Sequence, residues 1–202
     1  MIRACVFDLG NVLVFFSHER MCQQIADVCG VTSERVFELL MNSGVQNELE
    51  CGRISDEEFH AQFTQSLNAQ VSLVDLKRAA SDIFWLNAEI VPILADLKQN
   101  GMRLILLSNT SRAHFEFVQR EFDCLHHFDD FTLSYEVGSM KPNQAIYRDA
   151  VEKSGFGAGE CFFTDDIETN VEGARQSGLK AAVFRDVEEL RADLAQLGVK
   201  LD

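Results

Sequence analysis

Only two prolines, Pro92 and Pro142, occur in 202 residues, and no proline- or serine-rich tract or internal repeat separates independent units. No run of 18 or more apolar residues is present, which excludes a membrane-spanning helix. The start, MIRACVFDLG, lacks the basic segment and apolar stretch of a secretory leader, so none is expected. Cys5, Cys22, Cys29, Cys51, Cys124 and Cys161 never form a C-x-x-C or a cysteine–histidine zinc spacing. Cys5 and Cys161 fall inside apolar runs, where a thiol behaves as a small hydrophobe. A reduced, cytoplasmic location is the expectation. Positive charge is scarce too: 18 Lys and Arg face 32 Asp and Glu, for a net charge of −14. Such a surface repels nucleic acid and anionic membranes, so neither is expected as a partner. A small anionic substrate must then be met by a local cation or a metal ion.

What is present is a repeated pattern of short apolar runs that stop at polar residues. Ile2 to Phe7 stops at Asp8, and Leu104 to Leu107 at Ser108 and Asn109. Cys161 to Phe163 stops at Thr164, Asp165 and Asp166, and Ala181 to Phe184 at Arg185 and Asp186. Continuous short apolar runs separated by helical patterns indicate buried parallel strands. The spacing predicts helices around Leu94 to Lys98, from Asn143 to Ser154 and from Asn170 to Gln176, each followed by a glycine. The fold class is therefore α/β, a Rossmann-like parallel sheet flanked by helices. In such sheets the ligand sits outside the carboxyl ends of the strands, so the polar terminators converge there.

The stretch 15–86 differs. It shows helical patterns and no convincing strand: Met21, Ile25 and Val28; Val36, Phe37 and Leu40; a capping box at Ser55 and Glu58; a start at Ser72. We expect a core of residues 1–14 and 87–202 with a helical cap at 15–86. Its insertion after the first strand places it over the site, where it can act as a lid.

Asp8, Asp165 and Asp166 bring three carboxylates to one strand-end crevice. Clustered carboxylates repel unless a cation sits among them, and hard oxygen ligands favour magnesium. Ser108 and Asn109 add donors suited to phosphate oxygens, and Lys141 adds a compact positive charge. A metal-bound aspartate can serve as a nucleophile and form an aspartyl-phosphate.

FDLGNVL, LLSNTS, SYEVGSMKPNQAIY and FFTDDIETNVEGA stand in the order and spacing of the four motifs of haloacid dehalogenase-like hydrolases. The chain resembles that superfamily over nearly its whole length. It is most similar to the sugar-phosphate, glucose-1-phosphate-type phosphatases that write the first motif as DLGN, and the S-N-T-x-R-x-H from Ser108 to His114 points the same way. The resemblance implies Asp8 as nucleophile and magnesium ligand, the Gly10 carbonyl oxygen and Asp166 as further ligands, and Asp165 beside them, directly or through water. It implies Ser108 and Asn109 as phosphate binders and Lys141 as the charge that offsets nucleophile and phosphate. Asn170, where many relatives carry aspartate, has a supporting role. The substrate implied is a small phosphorylated metabolite, handled by a monomer or weak homodimer.

One position departs from the pattern. Phosphatases of the superfamily usually carry an acid two residues after the nucleophile, and Gly10 stands there. Two rivals follow: carbon–halogen hydrolysis, which uses the same aspartate without a metal, and a non-catalytic binding protein that kept the fold. The paired Asp165 and Asp166 argue against the first, and Gly10 is the support for the second. The histidines show no metal-ligand pattern, and His114 suits a structural role as well as the crevice.

Overall fold

The computed structural model describes residues 1–201. In chain order the strands are β1 (Ala4–Phe7), β2 (Val14–Phe16), β3 (Phe84–Leu86), β4 (Arg103–Ser108), β5 (Asp130–Leu133), β6 (Cys161–Asp165) and β7 (Lys180–Val183). The helices are α1 (His18–Cys29), α2 (Ser33–Asn42), α3 (Val45–Glu50), α4 (Asp56–Leu67), α5 (Leu73–Ser81), α6 (Val91–Gln99), α7 (Arg112–Glu121), α8 (Ser134–Val137), α9 (Gln144–Ser154), α10 (Glu168–Gln176) and α11 (Val187–Gln196).

A parallel sheet in the order β5-β4-β1-β6-β7 forms the centre. Residues alternate across its two faces, as strand geometry requires. Cys5 and Phe7 pack with Leu94, Leu97 and Leu190 on one side, while Ala4 and Val6 pack with Ile146, Ala150 and Ala174 on the other. Helices thus cover both faces, which is why the strands read as unbroken apolar runs rather than alternating ones. The register levels the strand ends: Phe7 pairs with Leu106 and with Thr164, and the Asp8 N–H donates to the Thr164 carbonyl at 3.0 Å. Asp8, Ser108 and Asp165 therefore emerge at one edge.

Helices α1, α2, α4 and α5 share a core of their own, built from Met21, Ile25, Val36, Leu40, Phe63, Leu67 and Leu76, to which α3 contributes no buried residue. The capping box at Ser55 and Glu58 is present, with both hydrogen bonds made. Two expectations for this region need correction. Strands β2 and β3 pair antiparallel, Phe15 opposite Trp85, and form the ribbon on which the helical unit is mounted. Val28 and Phe37, counted with the apolar faces, are 40% and 51% exposed. The β5 edge strand was also not anticipated: Asp130–Leu133 begins with a charge, and only Thr132 and Leu133 are buried.

Candidate active site

Lys141 is the hinge of the site. Its Nζ donates to Asp8 Oδ1 at 2.6 Å, to Asp165 Oδ2 at 2.6 Å and to the Leu107 carbonyl at 3.1 Å, with 2% of the side chain exposed. Its backbone is clasped by the side chain of Asn109, which accepts from the Lys141 N–H at 2.8 Å and donates to the Lys141 carbonyl at 3.1 Å. The Asn109 side chain therefore positions the lysine, which sequence reasoning did not anticipate. The loop that carries Asn109 is fixed in turn by Ser134, whose hydroxyl accepts from the Thr110 N–H and donates to its carbonyl.

Asp165 is wholly buried. Besides Lys141 it accepts from the Ile167 N–H at 2.8 Å and from the Asn170 amide at 3.0 and 3.1 Å. Asn170 is tied down by the Tyr147 hydroxyl, which donates to its carbonyl at 2.7 Å. Asp166 is half-buried and accepts from Asn11 Nδ2 at 2.9 Å. Asn11 holds a left-handed backbone, φ 55°, which asparagine tolerates better than most residues. No role was assigned to it in the sequence, although it closes the DLGN motif.

One ligand oxygen from each of Asp8, Asp165 and Asp166 lies within 4.8 Å of the others. Three carboxylates against one lysine leave an excess of negative charge in a buried place. Burial above all pushes the Asp8 carboxyl up, to about 7; Lys141 pulls against this, and the charge of Asp165 adds to it. Burial also works against the Lys141 ammonium, but the two carboxylates outweigh it and hold the lysine protonated. The site is thus short of positive charge, and its donors are hard oxygens. That set fits a divalent cation of the magnesium type.

Between the strand ends and the helical unit lies a crevice of about 80 Å³, lined by Gly10, Phe16 and Ser108 from the sheet side and by His18, Gln46 and Glu50 from the helices. Gly10 is not in the left-handed region, so its backbone does not call for glycine. The reason is space: a Cβ there would lie 2.9 Å from Phe16 Cε1. Phe16 is itself packed edge-on to His18, with centroids 5.0 Å apart.

His114 lines the crevice and reaches across to the helical unit. Its Nε2 lies 3.1 Å from the Ala80 carbonyl, which can only accept, so that nitrogen carries the hydrogen. Burial pushes the imidazole down to about 4. A lowered pKa means that the unfolded state takes up its proton first, between about 6.5 and 4. Stability should therefore fall as pH drops through that window, by at most about 3 kcal/mol for this group. Unfolding titrations should show His114→Gln losing that part of the pH dependence; an unchanged profile would mean that His114 titrates normally.

A family model described as haloacid dehalogenase-like hydrolase matches residues 2–178. A search of curated proteins matched drimenol cyclase drtB of Aspergillus calidoustus, 24% identical over 98% of this chain; the chain spans 37% of that protein. It also matched D-ribitol-5-phosphate phosphatase of Bacteroides thetaiotaomicron, 24% identical over 89% of this chain and 90% of the relative. Among solved structures, a HAD family enzyme of Bacteroides thetaiotaomicron in complex with magnesium and inorganic phosphate superimposes with a TM-score of 0.84, at 24% identity, over 94% of this chain and 99% of that one.

Proposed function

The chain belongs to the haloacid dehalogenase-like hydrolases, and on that footing we propose that it is a magnesium-dependent phosphatase acting on small phosphorylated metabolites through an aspartyl-phosphate at Asp8. The observation that carries this reading is the buried Asp8–Lys141–Asp165 bridge with Asp166 alongside. A carbon–halogen hydrolase has no use for a divalent cation, and three carboxylates around one lysine call for one. The relative named for D-ribitol 5-phosphate and the fold neighbour solved with magnesium and phosphate support the same reading. Sugar and polyol phosphates, including the glucose-1-phosphate type, are the substrates we favour, in a cytoplasmic monomer or weak homodimer.

Asp8, Asp166 and the Gly10 carbonyl oxygen would hold magnesium, which supplies charge neutralisation at the transferring phosphoryl group. Asp165, grouped with the ligands in the sequence, has both oxygens engaged by Lys141, Asn170 and the Ile167 N–H. Its part is to aim the lysine. The Ser108 hydroxyl and the Asn109 main-chain N–H would bind phosphoryl oxygens while Lys141 holds the nucleophile in place. An Asp8 oxygen then bonds to phosphorus as the ester P–O bond breaks, and the departing oxygen takes a proton from solvent water. Water attacks phosphorus next, releasing inorganic phosphate and the free carboxylate. Residues 15–86 would act as the cap that selects the leaving group.

Phosphate release from p-nitrophenyl phosphate tests the reading. Turnover should require added magnesium and disappear in excess chelator, by at least about 100-fold. Full activity in chelator would defeat it.

A further inference from the structure

Helix α3 carries two side chains that the mechanism above leaves without a task. Gln46 and Glu50 stand four residues apart, on one face of the helix. The Gln46 amide nitrogen donates to Glu50 Oε1 at 2.8 Å, which turns the amide oxygen away from Glu50. That oxygen is buried and accepts no hydrogen bond from any described residue. Buried amide oxygens are nearly always paired, so an empty one at a site points to a missing donor. Both residues line the catalytic crevice together with Gly10, Ser108 and Asn109, and both also line the apolar cavity that adjoins it.

The missing donor is not the phosphoryl group. A phosphate dianion offers acceptors only, and the sheet side of the crevice meets it with the Ser108 hydroxyl and the Asn109 main-chain N–H. The α3 side offers the opposite chemistry, two acceptors. Burial raises the pKa of the Glu50 carboxyl, yet Glu50 Oε1 still accepts from Gln46. The position of α3 is also fixed from below. A Cβ on Gly52 would collide with the Tyr135 carbonyl oxygen, so the chain just after α3 runs directly against α8. Gly52 takes φ 65° there, which glycine adopts without strain.

We propose that Gln46 and Glu50 form the leaving-group subsite, and that the substrate's alcohol portion carries hydroxyl groups close to the phosphorylated carbon which donate to them. The substrate class is then a polyol or sugar phosphate rather than an alkyl, aryl or acyl phosphate. This inference rests on the phosphatase reading and narrows it.

The test compares two substrates of one chain length, ribitol 5-phosphate and n-pentyl phosphate, in the full-length protein with magnesium. Wild type should prefer the polyol. Gln46→Met should lower the ratio of the two kcat/KM values by about tenfold, the worth of one net hydrogen bond. Gln46→Glu keeps an acceptor at the same place and should retain more of the preference than Gln46→Met. Glu50→Gln should lower the ratio as well. Equal ratios in wild type and Gln46→Met, with both folded by circular dichroism, would overturn the inference. Wild-type turnover of p-nitrophenyl phosphate in the same preparation separates the two levels. If it is present while the ratio does not move, only the subsite assignment fails; if it is absent, the phosphatase reading fails and the subsite with it.

Discussion

Asp8→Asn should lose at least about 10⁴-fold in phosphate release while the metal-free protein melts no lower than wild type. The two halves have one cause. Asparagine keeps the shape and an oxygen for Lys141 Nζ, now 2.6 Å from Asp8 Oδ1, but it is a very poor nucleophile. The charge it removes is one that the fold resists. With its pKa raised to about 7, the Asp8 carboxyl binds a proton more tightly folded than unfolded. The protein should therefore lose stability as pH rises from about 4 through about 7, and the full cost of the charge is felt above that. At pH 8 in chelator the neutral amide should gain on the order of 1–4 kcal/mol. Thermal unfolding with and without magnesium checks this. Magnesium should raise the melting temperature of wild type more than that of Asp8→Asn, because a ligand stabilises in proportion to its affinity for the folded state. A metal-free variant that melts well below wild type would mean that the aspartate charge is stabilising.

A steep dependence on the leaving group is the second large effect. Expelling an alkoxide needs a proton, and a positioned donor is worth about 10²–10⁴ in rate. Gly10 provides none, so aryl and acyl phosphates should outpace simple alkyl phosphates by a factor in that range. The geometry refines what would restore the donor. Gly10→Asp alone forces its Cβ against Phe16 Cε1, 2.9 Å away, and Phe16 is wedged against His18 and Phe84. That single change should give little. Gly10→Asp with Phe16→Leu opens the space and should recover alkyl turnover. The measurement is the slope of log(kcat/KM) against leaving-group pKa. A flat line for wild type would show that another group, with His18 and Glu50 in reach of the crevice, already donates the proton.

The sheet was legible because its strands are buried on both faces. Val6, Leu106 and Phe163 could only read as interior, and the polar residue that ends each run marks the edge where ligands collect. The site residues followed from the same logic. What stayed hidden depended on pairing across the chain. Strand β2 is three residues long, and its partner β3 lies some seventy positions away, so no local period announces either. The roles of Asn109 and Asn11 were equally silent. An asparagine after a strand looks like a phosphate donor until the fold brings the Lys141 backbone within 2.8 Å of its side chain. For Gly10, the sequence shows only that the usual acid is missing, whereas the Phe16 ring from the ribbon is what crowds the position. Missing chemistry could be seen in one dimension; the crowding behind it could not.

The covalent intermediate decides the central claim. Wild-type protein turning over p-nitrophenyl phosphate with magnesium should be quenched in acid and digested, and the peptide that carries Asp8 weighed. The account predicts that this peptide gains the mass of one phosphoryl group, that mild alkali removes the gain, and that Asp8→Asn never shows it. Rapid turnover with the label on another residue, or on none under conditions where the intermediate accumulates, would contradict Asp8 as the nucleophile.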